Sequence, residues 1–354
     1  MINKDRITLI GLPPSPYTRK MIALLRYRQI PYQVIWGSPH DTFKNEGIFN
    51  DLGIEAPKPA LLPTFILPND KGEFESVTDS TPIIRRLEDD FKKRSVIPEN
   101  PALCFLNYLL EDFGDEWVTK YMFHYRWHFD EDADNASSIL PLHNKVYLAD
   151  DAWQLFKDSI GSRQIERLRV VGSNDATAPI IEKSYKRFLK IMENHLSNFP
   201  FLFGYRPSSA DFAIYGQLTQ LIGLDPTSRA IAHKLSLRTT AWVDNMEDMS
   251  GLNPNDNPWE TFETLSENMK PILEEIGRAY VPALLANRRA IESGEEVWET
   301  EIDGSKWSQN TFNYQAKCLQ WINAEFFSLS SDDQKRILDL FNGTGCEKLL
   351  IKEQ

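Results

Sequence analysis

The sequence predicts two structural parts: an α/β domain of order βαβ-ββα in residues 1–94, and an all-helical part in residues 102–354. Strand and helix patterns alternate up to residue 94, whereas nearly every periodic segment beyond it has the helical repeat. The segment between them, Arg94–Pro101, contains two prolines and is interpreted as a linker. A chain of 354 residues with 42% hydrophobic residues is long enough to build a core in each part.

The first part begins with a strand–helix–strand unit. Apolar residues at Ile7–Ile10 form a short strand that ends at Gly11 and a pair of prolines. A helix follows over about Thr18–Arg28, and Pro31 ends it. The next strand, Tyr32–Trp36, is rich in β-branched and aromatic residues. A unit of this length predicts two parallel strands joined by a right-handed crossover.

A hairpin and a closing helix complete the first part. The stretch Gly37–Pro59 is irregular. Two strands, Thr64–Leu67 and Phe74–Val77, flank a turn at Asn69–Gly72 and are spaced as a hairpin. A helix over about Thr81–Phe91 then covers one face of the sheet. The order of elements is therefore complete by residue 94.

The second part contains six clear helical patterns. They cover Leu103–Val118, Ile180–Leu196, Asp211–Ile222, Ala241–Met249, Leu265–Arg289 and Phe312–Phe327. Residues 130–175 and 252–310 have polar clusters and weak periodicity, so the sequence assigns them no definite elements.

Composition and charge exclude several classes of function. Charged residues make up 25% of the chain, an ordinary globular value, and no apolar run is long enough to span a membrane. Residues 1–20 lack the apolar region of a signal peptide, so we expect a cytoplasmic protein. The net charge is +2 in residues 1–94 and −14 in the remainder. The acidic remainder would repel phosphate backbones, so nucleic acid is not an expected partner.

The loop Pro13–Arg19, between the first strand and the first helix, contains the first candidate site. Ser15 followed by Pro16 is typical of a helix N-cap and a first-turn proline. A capping serine accepts a backbone N–H through its oxygen and keeps its own O–H free to donate. Because the helix dipole favours negative charge here, Ser15 is either a structural cap alone or a cap that also serves a thiolate or another anion.

Two other segments have the chemistry to hold a peptide-like ligand. Asp79 and Ser80 precede a helix start, where free N–H groups and the Ser80 hydroxyl can bind a carboxylate. Asp79 can accept from an ammonium group, with simple capping as the alternative. Pro63 directly precedes a strand, and a cis Leu62–Pro63 bond would turn the Leu62 backbone outward to pair with an extended peptide.

Together these segments resemble the glutathione transferase (GST) family over residues 7–94. Ser15–Lys20 (Ser-Pro-Tyr-Thr-Arg-Lys) resembles its serine loop, Leu62-Pro63 its cis-proline step, and Asp79-Ser80 its acidic residue and serine. Phe203–Asp211 resembles the capping box of the family's helical domain, with Ser and acid at the required spacing. The four motifs are specific because they stand in the right order on the right elements.

The resemblance implies a thioredoxin-like domain followed by an all-helical GST domain, usually in a homodimer. It implies that Ser15 stabilises the glutathione thiolate. The glutathione-binding residues that it implies are Tyr17, Leu62, Pro63, Asp79 and Ser80. The chain departs from the family pattern at two positions: Asp79 stands where Glu is more usual, and the basic residue often found shortly before the cis-proline is absent. It also has an insertion at 130–175 and an extension at 252–354.

An aromatic segment at residues 117–128 is the candidate pocket for a second substrate, which the family places between its two domains. The pocket residues proposed from it are Tyr121, His124, Tyr125 and His128. A packed aromatic core is the alternative. The two histidines have the i, i+4 spacing of metal ligands, but no third ligand accompanies them, so we expect no metal.

The expected function is transfer of glutathione: the thiolate attacks an electrophilic carbon of a hydrophobic or aromatic substrate. Ser15 and Thr18 stand where redox relatives of the fold have cysteines, so a dithiol cycle at this loop is excluded. Cys104, Cys318 and Cys346 are interpreted as small hydrophobic residues. A non-catalytic GST-like scaffold and a glutathione-dependent lyase or isomerase remain the alternatives, since fold alone does not choose among them.

Overall fold

The computed structural model describes residues 6–37, 49–50 and 53–351. Its first part begins with strand β1 (Ile7–Gly11), helix α1 (Pro16–Tyr27) and strand β2 (Tyr32–Trp36). β1 and β2 pair in parallel, with Ile7 opposite Tyr32. Helix α1 buries most of one face, as its apolar spacing requires. The predicted strand–helix–strand unit is confirmed.

The predicted hairpin and closing helix are also present. Strands β3 (Thr64–Pro68) and β4 (Phe74–Val77) pair antiparallel, and helix α2 (Ser80–Asp90) follows. β3 also pairs antiparallel with β1, which gives a four-stranded sheet of order β2-β1-β3-β4. The segment Gly37–Pro59, which is predicted to be irregular, lies partly outside the described residues. This part is a thioredoxin-like domain with a mixed sheet.

The second part is predominantly helical. Its helices are α3 (Pro101–Phe113), α4 (Thr119–Trp127), α5 (Asp130–Asn144), α6 (Asp150–Glu166), α7 (Ala178–His195), α8 (Ser209–Gly223), α9 (Pro226–Leu235), α10 (Leu237–Met246), α11 (Phe262–Glu275), α12 (Val281–Glu292), α13 (Asn313–Ser328) and α14 (Ser331–Phe341). Wide π-helical turns at Gly114–Val118 and Ile276–Tyr280 join α3 to α4 and α11 to α12. The six predicted helices are therefore all present, with the fifth divided by the second π turn.

The expectation of an all-helical second part is wrong at residues 297–310. Strands β5 (Val297–Ile302) and β6 (Ser305–Asn310) form an antiparallel hairpin. Trp298 and Trp307 lie parallel on its buried face, with ring centroids 6.5 Å apart. Because one tryptophan on each strand points into the core, the hairpin is stabilised by burial on a single face.

Helices α1 and α8 pack closely and connect the two parts. A Cβ at Gly216 would lie 2.4 Å from the carbonyl oxygen of Pro16 and 3.0 Å from Cβ of Lys20. Only glycine fits at this approach. The first turn of α1, which contains the candidate serine loop, is thereby held against the helical part.

Candidate functional site

The strand register brings the three predicted segments to one edge of the sheet. Ile10 pairs with Thr64, so the loop after β1 lies beside the residues before β3. Phe65 pairs with Val77, so the residues after β4 lie beside the same point. Because neighbouring strands are about 5 Å apart, the serine loop, the cis-proline step and the start of α2 meet at this edge.

Ser15 is the N-cap of α1. Its backbone is extended, and its Oγ accepts from the backbone N–H of Thr18 at 3.2 Å. The side chain is partly exposed, and no described residue accepts its O–H. Ser15 therefore combines a structural cap with a free hydroxyl donor at the positive end of a helix.

Hydrogen bonds from the helical part hold the serine loop in place. Arg126 donates to the carbonyl oxygen of Pro14 at 3.2 Å, and the Gln220 amide donates to that of Pro13 at 3.3 Å. The hydroxyl of Tyr17 donates to the carbonyl oxygen of Asp115 at 2.7 Å. Burial, with the nearby acidic side chains, raises the pKa of Tyr17 well above its usual value, so this phenol stays neutral. Tyr17 thus joins the two parts, and ligand binding by its ring stays a prediction.

The Leu62–Pro63 peptide bond is cis, and so is Lys58–Pro59. Pro63 is buried, whereas Leu62 is partly exposed. Among the described residues, neither the N–H nor the C=O of Leu62 has a hydrogen-bond partner. An extended peptide could satisfy both groups by pairing along this segment.

Asp79 is the N-cap of α2 and has a left-handed backbone, with φ +79°. Such a φ is unfavourable for a residue with a Cβ and costs on the order of 1–3 kcal/mol. Its Oδ1 accepts from the N–H of Thr81 at 3.3 Å, and its Oδ2 accepts from the hydroxyl of Tyr314 at 2.7 Å. The carboxylate is therefore fixed in place at the edge of the candidate site.

A buried ion cluster lies directly beneath Ser80. The Nζ of Lys20 lies 2.9 Å from Ser80 Oγ, 3.0 Å from Glu111 Oε1 and 2.6 Å from Asp115 Oδ2. Burial opposes ionisation of Glu111, but the charges of Lys20 and Arg85 outweigh it and hold its pKa well below the usual value. Burial raises the pKa of Asp115. Ser80 is nearly buried and accepts one hydrogen bond from Lys20, so its own proton and one lone pair remain for a ligand.

The predicted second-substrate pocket is a packed aromatic core at three of its four residues. Tyr121, His124 and Tyr125 are fully buried. The Tyr121 hydroxyl bonds that of Ser184 at 2.6 Å, and His124 Nδ1 lies 2.8 Å from the Ser173 hydroxyl. His128 stacks on His124 with ring centroids 4.5 Å apart. These residues are thus packed between helices, and their role in a second-substrate pocket stays a prediction.

A cavity of about 630 Å³ lies instead beside the serine loop. Its lining is mostly apolar and is formed by Pro13, Trp36, Ile139, Leu142, His143, Asn144, Lys145, Val146 and Tyr147. Most of these residues belong to the end of α5 and the turn after it. The sequence pointed to Pro13 but to none of the α5 residues, because residues 130–175 lack a clear helical period.

His143 is the main polar side chain of this wall. Its Nε2 is buried and has no hydrogen-bond partner among the described residues. Burial, with the charges of Arg126 and Arg19, lowers the pKa of His143 below its usual value. The ring is therefore neutral near pH 7, and its buried Nε2 is unpaired among the described residues.

The remaining candidate groups have structural surroundings. Burial raises the pKa of all three cysteine thiols, Cys104, Cys318 and Cys346, so each is a poor nucleophile. In the part of the chain that the structure describes, no three His, Cys, Asp or Glu side chains are grouped as metal ligands. None of the described helices is long and apolar enough to cross a bilayer.

Residues 9–95 match the family model described as "Glutathione S-transferase, N-terminal domain". The match covers all four strands and both helices of the first part except the first residues of β1. No curated protein matches the chain.

Three of the solved structures that resemble the chain come from bacteria. A glutathione transferase family member from Pseudomonas fluorescens with two glutathione bound is 16% identical, with TM-score 0.41 over 69% of this chain and 87% of that chain. A glutathione transferase from Burkholderia graminis, also with two glutathione molecules per subunit, is 16% identical, with TM-score 0.44 over 70% and 89%. Beta-etherase LigF from Sphingobium sp. strain SYK-6 is 16% identical, with TM-score 0.48 over 68% and 94%.

Proposed function

Because residues 9–95 match the N-terminal domain of glutathione S-transferases, we propose that the chain binds glutathione at the edge described above and activates its thiol. The observation that carries this proposal is the Ser15 hydroxyl, free to donate at the start of α1. A hydroxyl that donates to sulfur stabilises the thiolate over the thiol. A pKa decrease of one unit needs about 1.4 kcal/mol, which one charge-assisted hydrogen bond and the helix dipole can supply.

The other segments fit the remaining groups of the tripeptide. The unpaired N–H and C=O of Leu62, before Pro63, would pair with the cysteinyl backbone. Asp79 would accept from the γ-glutamyl ammonium group. The Ser80 hydroxyl and the free N–H groups of the first turn of α2 would hold its carboxylate. Tyr17 would contribute the edge of its ring, because its hydroxyl is engaged with Asp115.

The second substrate would occupy the 630 Å³ cavity beside the serine loop. Its apolar lining suits a hydrophobic or aromatic electrophile. The free Nε2 of His143 would bond one polar group of that substrate and orient its electrophilic carbon. In the reaction, the sulfur forms a bond to this carbon, and the leaving group departs with the electron pair of the broken bond.

Replacing Ser15 by alanine tests the catalytic role. We expect Ser15→Ala to raise the pKa of the bound thiol and to lower kcat about 10- to 100-fold at pH 7, with little change in the Kd for glutathione. Turnover of a general aromatic electrophile and calorimetric binding of glutathione measure the two effects separately.

Ser330→Ala is the matched control, because Ser330 caps α14 in the same way through the N–H of Asp333. Both variants lose a helix cap worth about 1 kcal/mol, but only the Ser15 variant loses the donor. Equal turnover in the two variants would show that Ser15 is a cap alone.

A further inference from the structure

Tyr314 introduces a side chain from the C-terminal region into the candidate glutathione site. It is the second residue of α13, and its hydroxyl donates to Asp79 Oδ2 at 2.7 Å across 235 residues of sequence. The chain therefore places a phenol against the carboxylate that the proposed function assigns to the ligand's ammonium group.

The position of Tyr314 is fixed by contacts on both sides. Asn287 bonds the backbone of Phe312 twice, donating to its C=O at 2.9 Å and accepting from its N–H at 2.8 Å. Gln315 donates to Glu116 Oε2 at 3.1 Å. The ring of Tyr314 packs edge-on against Trp321, with centroids 5.7 Å apart. The start of α13 is thus anchored to α12 and to the π turn after α3.

Proton counting decides what the pair can bind. A phenol has one proton and two acceptor lone pairs. Since the proton of Tyr314 is donated to Asp79, its oxygen can only accept further hydrogen bonds. Asp79 uses Oδ1 for the N–H of Thr81 and Oδ2 for Tyr314, and each oxygen keeps a second lone pair. The pair presents only acceptors, together with one negative charge.

An ammonium group matches this arrangement, since it has three donors and one positive charge. A hydroxyl could satisfy only one acceptor, and a carboxylate would be repelled. Tyr314 also lies on the wall of a second cavity of about 350 Å³, whose lining includes Thr81, Arg85 and Trp321. Space is therefore present beside Tyr314.

We propose that Tyr314 is a specificity-determining residue that, with Asp79, binds the free α-amino group of the γ-glutamyl ligand. The inference rests on the proposed function, because it takes glutathione as the ligand of this edge. It gives the C-terminal extension a role in ligand selection: it completes the ammonium site whose carboxylate the N-terminal domain supplies.

The test compares two ligands by calorimetry on the full chain: glutathione, and the analogue in which hydrogen replaces the α-amino group. Tyr314→Phe keeps the ring and removes the acceptor oxygen. We expect its Kd for glutathione to rise about three- to tenfold and its Kd for the analogue to stay within twofold of the unaltered value. Asp79→Asn should reduce discrimination between the two ligands further.

Tyr205→Phe, at an exposed tyrosine in the helical part, is the control and should change neither affinity. Equal loss for both ligands in Tyr314→Phe would show a structural role only and would overturn the inference. Tighter glutathione binding would overturn it too, because Tyr314 would then compete with the ammonium group. If the unaltered protein bound no glutathione, the proposed function would fail together with the inference. If it bound glutathione and Tyr314→Phe left the Kd unchanged, only the inference would be contradicted.

Discussion

Lys20 is the residue that couples the two parts of the protein most directly. Its ammonium group is fully buried and lies between Ser80, Glu111 and Asp115. Its acidic partners are 91 and 95 residues away in the sequence, so no local spacing revealed the cluster. The lysine was visible in the sequence only as the last residue of the serine loop motif.

Removing this charge should destabilise the whole fold. Lys20→Met keeps the aliphatic length but leaves Asp115 without a cation and Glu111 with Arg85 alone. Because an uncompensated buried charge is costly, we expect the free energy of unfolding to fall by about 3 kcal/mol. Urea unfolding followed by circular dichroism measures the change. Lys234→Met, at an exposed lysine, is the control and should change the free energy of unfolding by less than about 0.5 kcal/mol. A similarly small change for Lys20→Met would show that the buried cluster does not stabilise the fold.

The local geometry of several candidate residues could be predicted from the sequence. Ser15 is the predicted cap, the Leu62–Pro63 bond is cis, and Asp79 caps α2. Each has a local signature: a serine before proline, a proline before a strand, an acid before a helix. His143 and Tyr314 have no such signature, since their importance comes from chain segments that meet only after folding.

At the scale of elements, the sequence predicted best in the first part of the chain, where apolar runs are short and bounded by Gly and Pro. Helix α1 and strands β1 and β3 are mostly buried, and α1 and strands β1–β4 were all placed within a few residues. Helix α6 buries only Gly161 completely, so its sequence has almost no amphipathic pattern. The sequence of the hairpin β5–β6 does contain a turn pattern, Asp303-Gly304, between segments of alternating apolar and polar residues. The prediction of an all-helical part did not use this pattern.

The end of α5 is the element that should determine the second substrate. Leu142 lies on the cavity wall beside His143. Leu142→Ala would remove apolar contact worth about 1–2 kcal/mol, so we expect KM for a hydrophobic electrophile to rise about 5- to 30-fold. The Kd for glutathione should not change, because the tripeptide would lie along the sheet edge.

Leu155→Ala is the control for this variant, since Leu155 is exposed on the neighbouring helix α6. Steady-state kinetics with electrophiles of increasing apolar area measure the effect. An unchanged KM for Leu142→Ala across that series would place the second substrate elsewhere.

At the scale of the whole molecule, buried acids should make stability depend on pH in an unusual direction. Burial, with the charge of Asp112, raises the pKa of Glu116 to about 8. In the unfolded chain this carboxyl ionises near pH 4. Between pH 4 and pH 8 the native state binds more protons than the unfolded chain. The free energy of unfolding therefore falls as pH rises through the pKa of the folded state. Stability should therefore increase from pH 8 to pH 6.5.

Below pH 6.5 the buried histidines act in the opposite direction. Burial lowers the pKa of His124 to about 3 and also lowers that of His195. Because these rings take up protons mainly in the unfolded state, acidification past pH 6.5 favours unfolding. We expect Tm to be a few degrees higher at pH 6.5 than at pH 8, and to change less per pH unit below pH 6.5, because the buried acids and the buried histidines oppose each other there.

Thermal melts of Glu116→Gln measure the acidic contribution. The variant cannot ionise, so its Tm should change less between pH 8 and 6.5 than that of the unaltered protein. Glu267→Gln, at an exposed glutamate, should keep the original slope. If Glu116→Gln also kept it, the buried carboxyl would not be protonated in the native state.

We propose that this protein converts bound glutathione into its thiolate. The most direct measurement is an ultraviolet difference titration of the full chain with glutathione near neutral pH, with Ser15→Ala beside it. We expect a saturable thiolate absorbance in the unaltered protein, and saturable binding with much weaker absorbance in the variant. Binding without thiolate absorbance in the unaltered protein would contradict the claim and favour a non-catalytic GST-like scaffold.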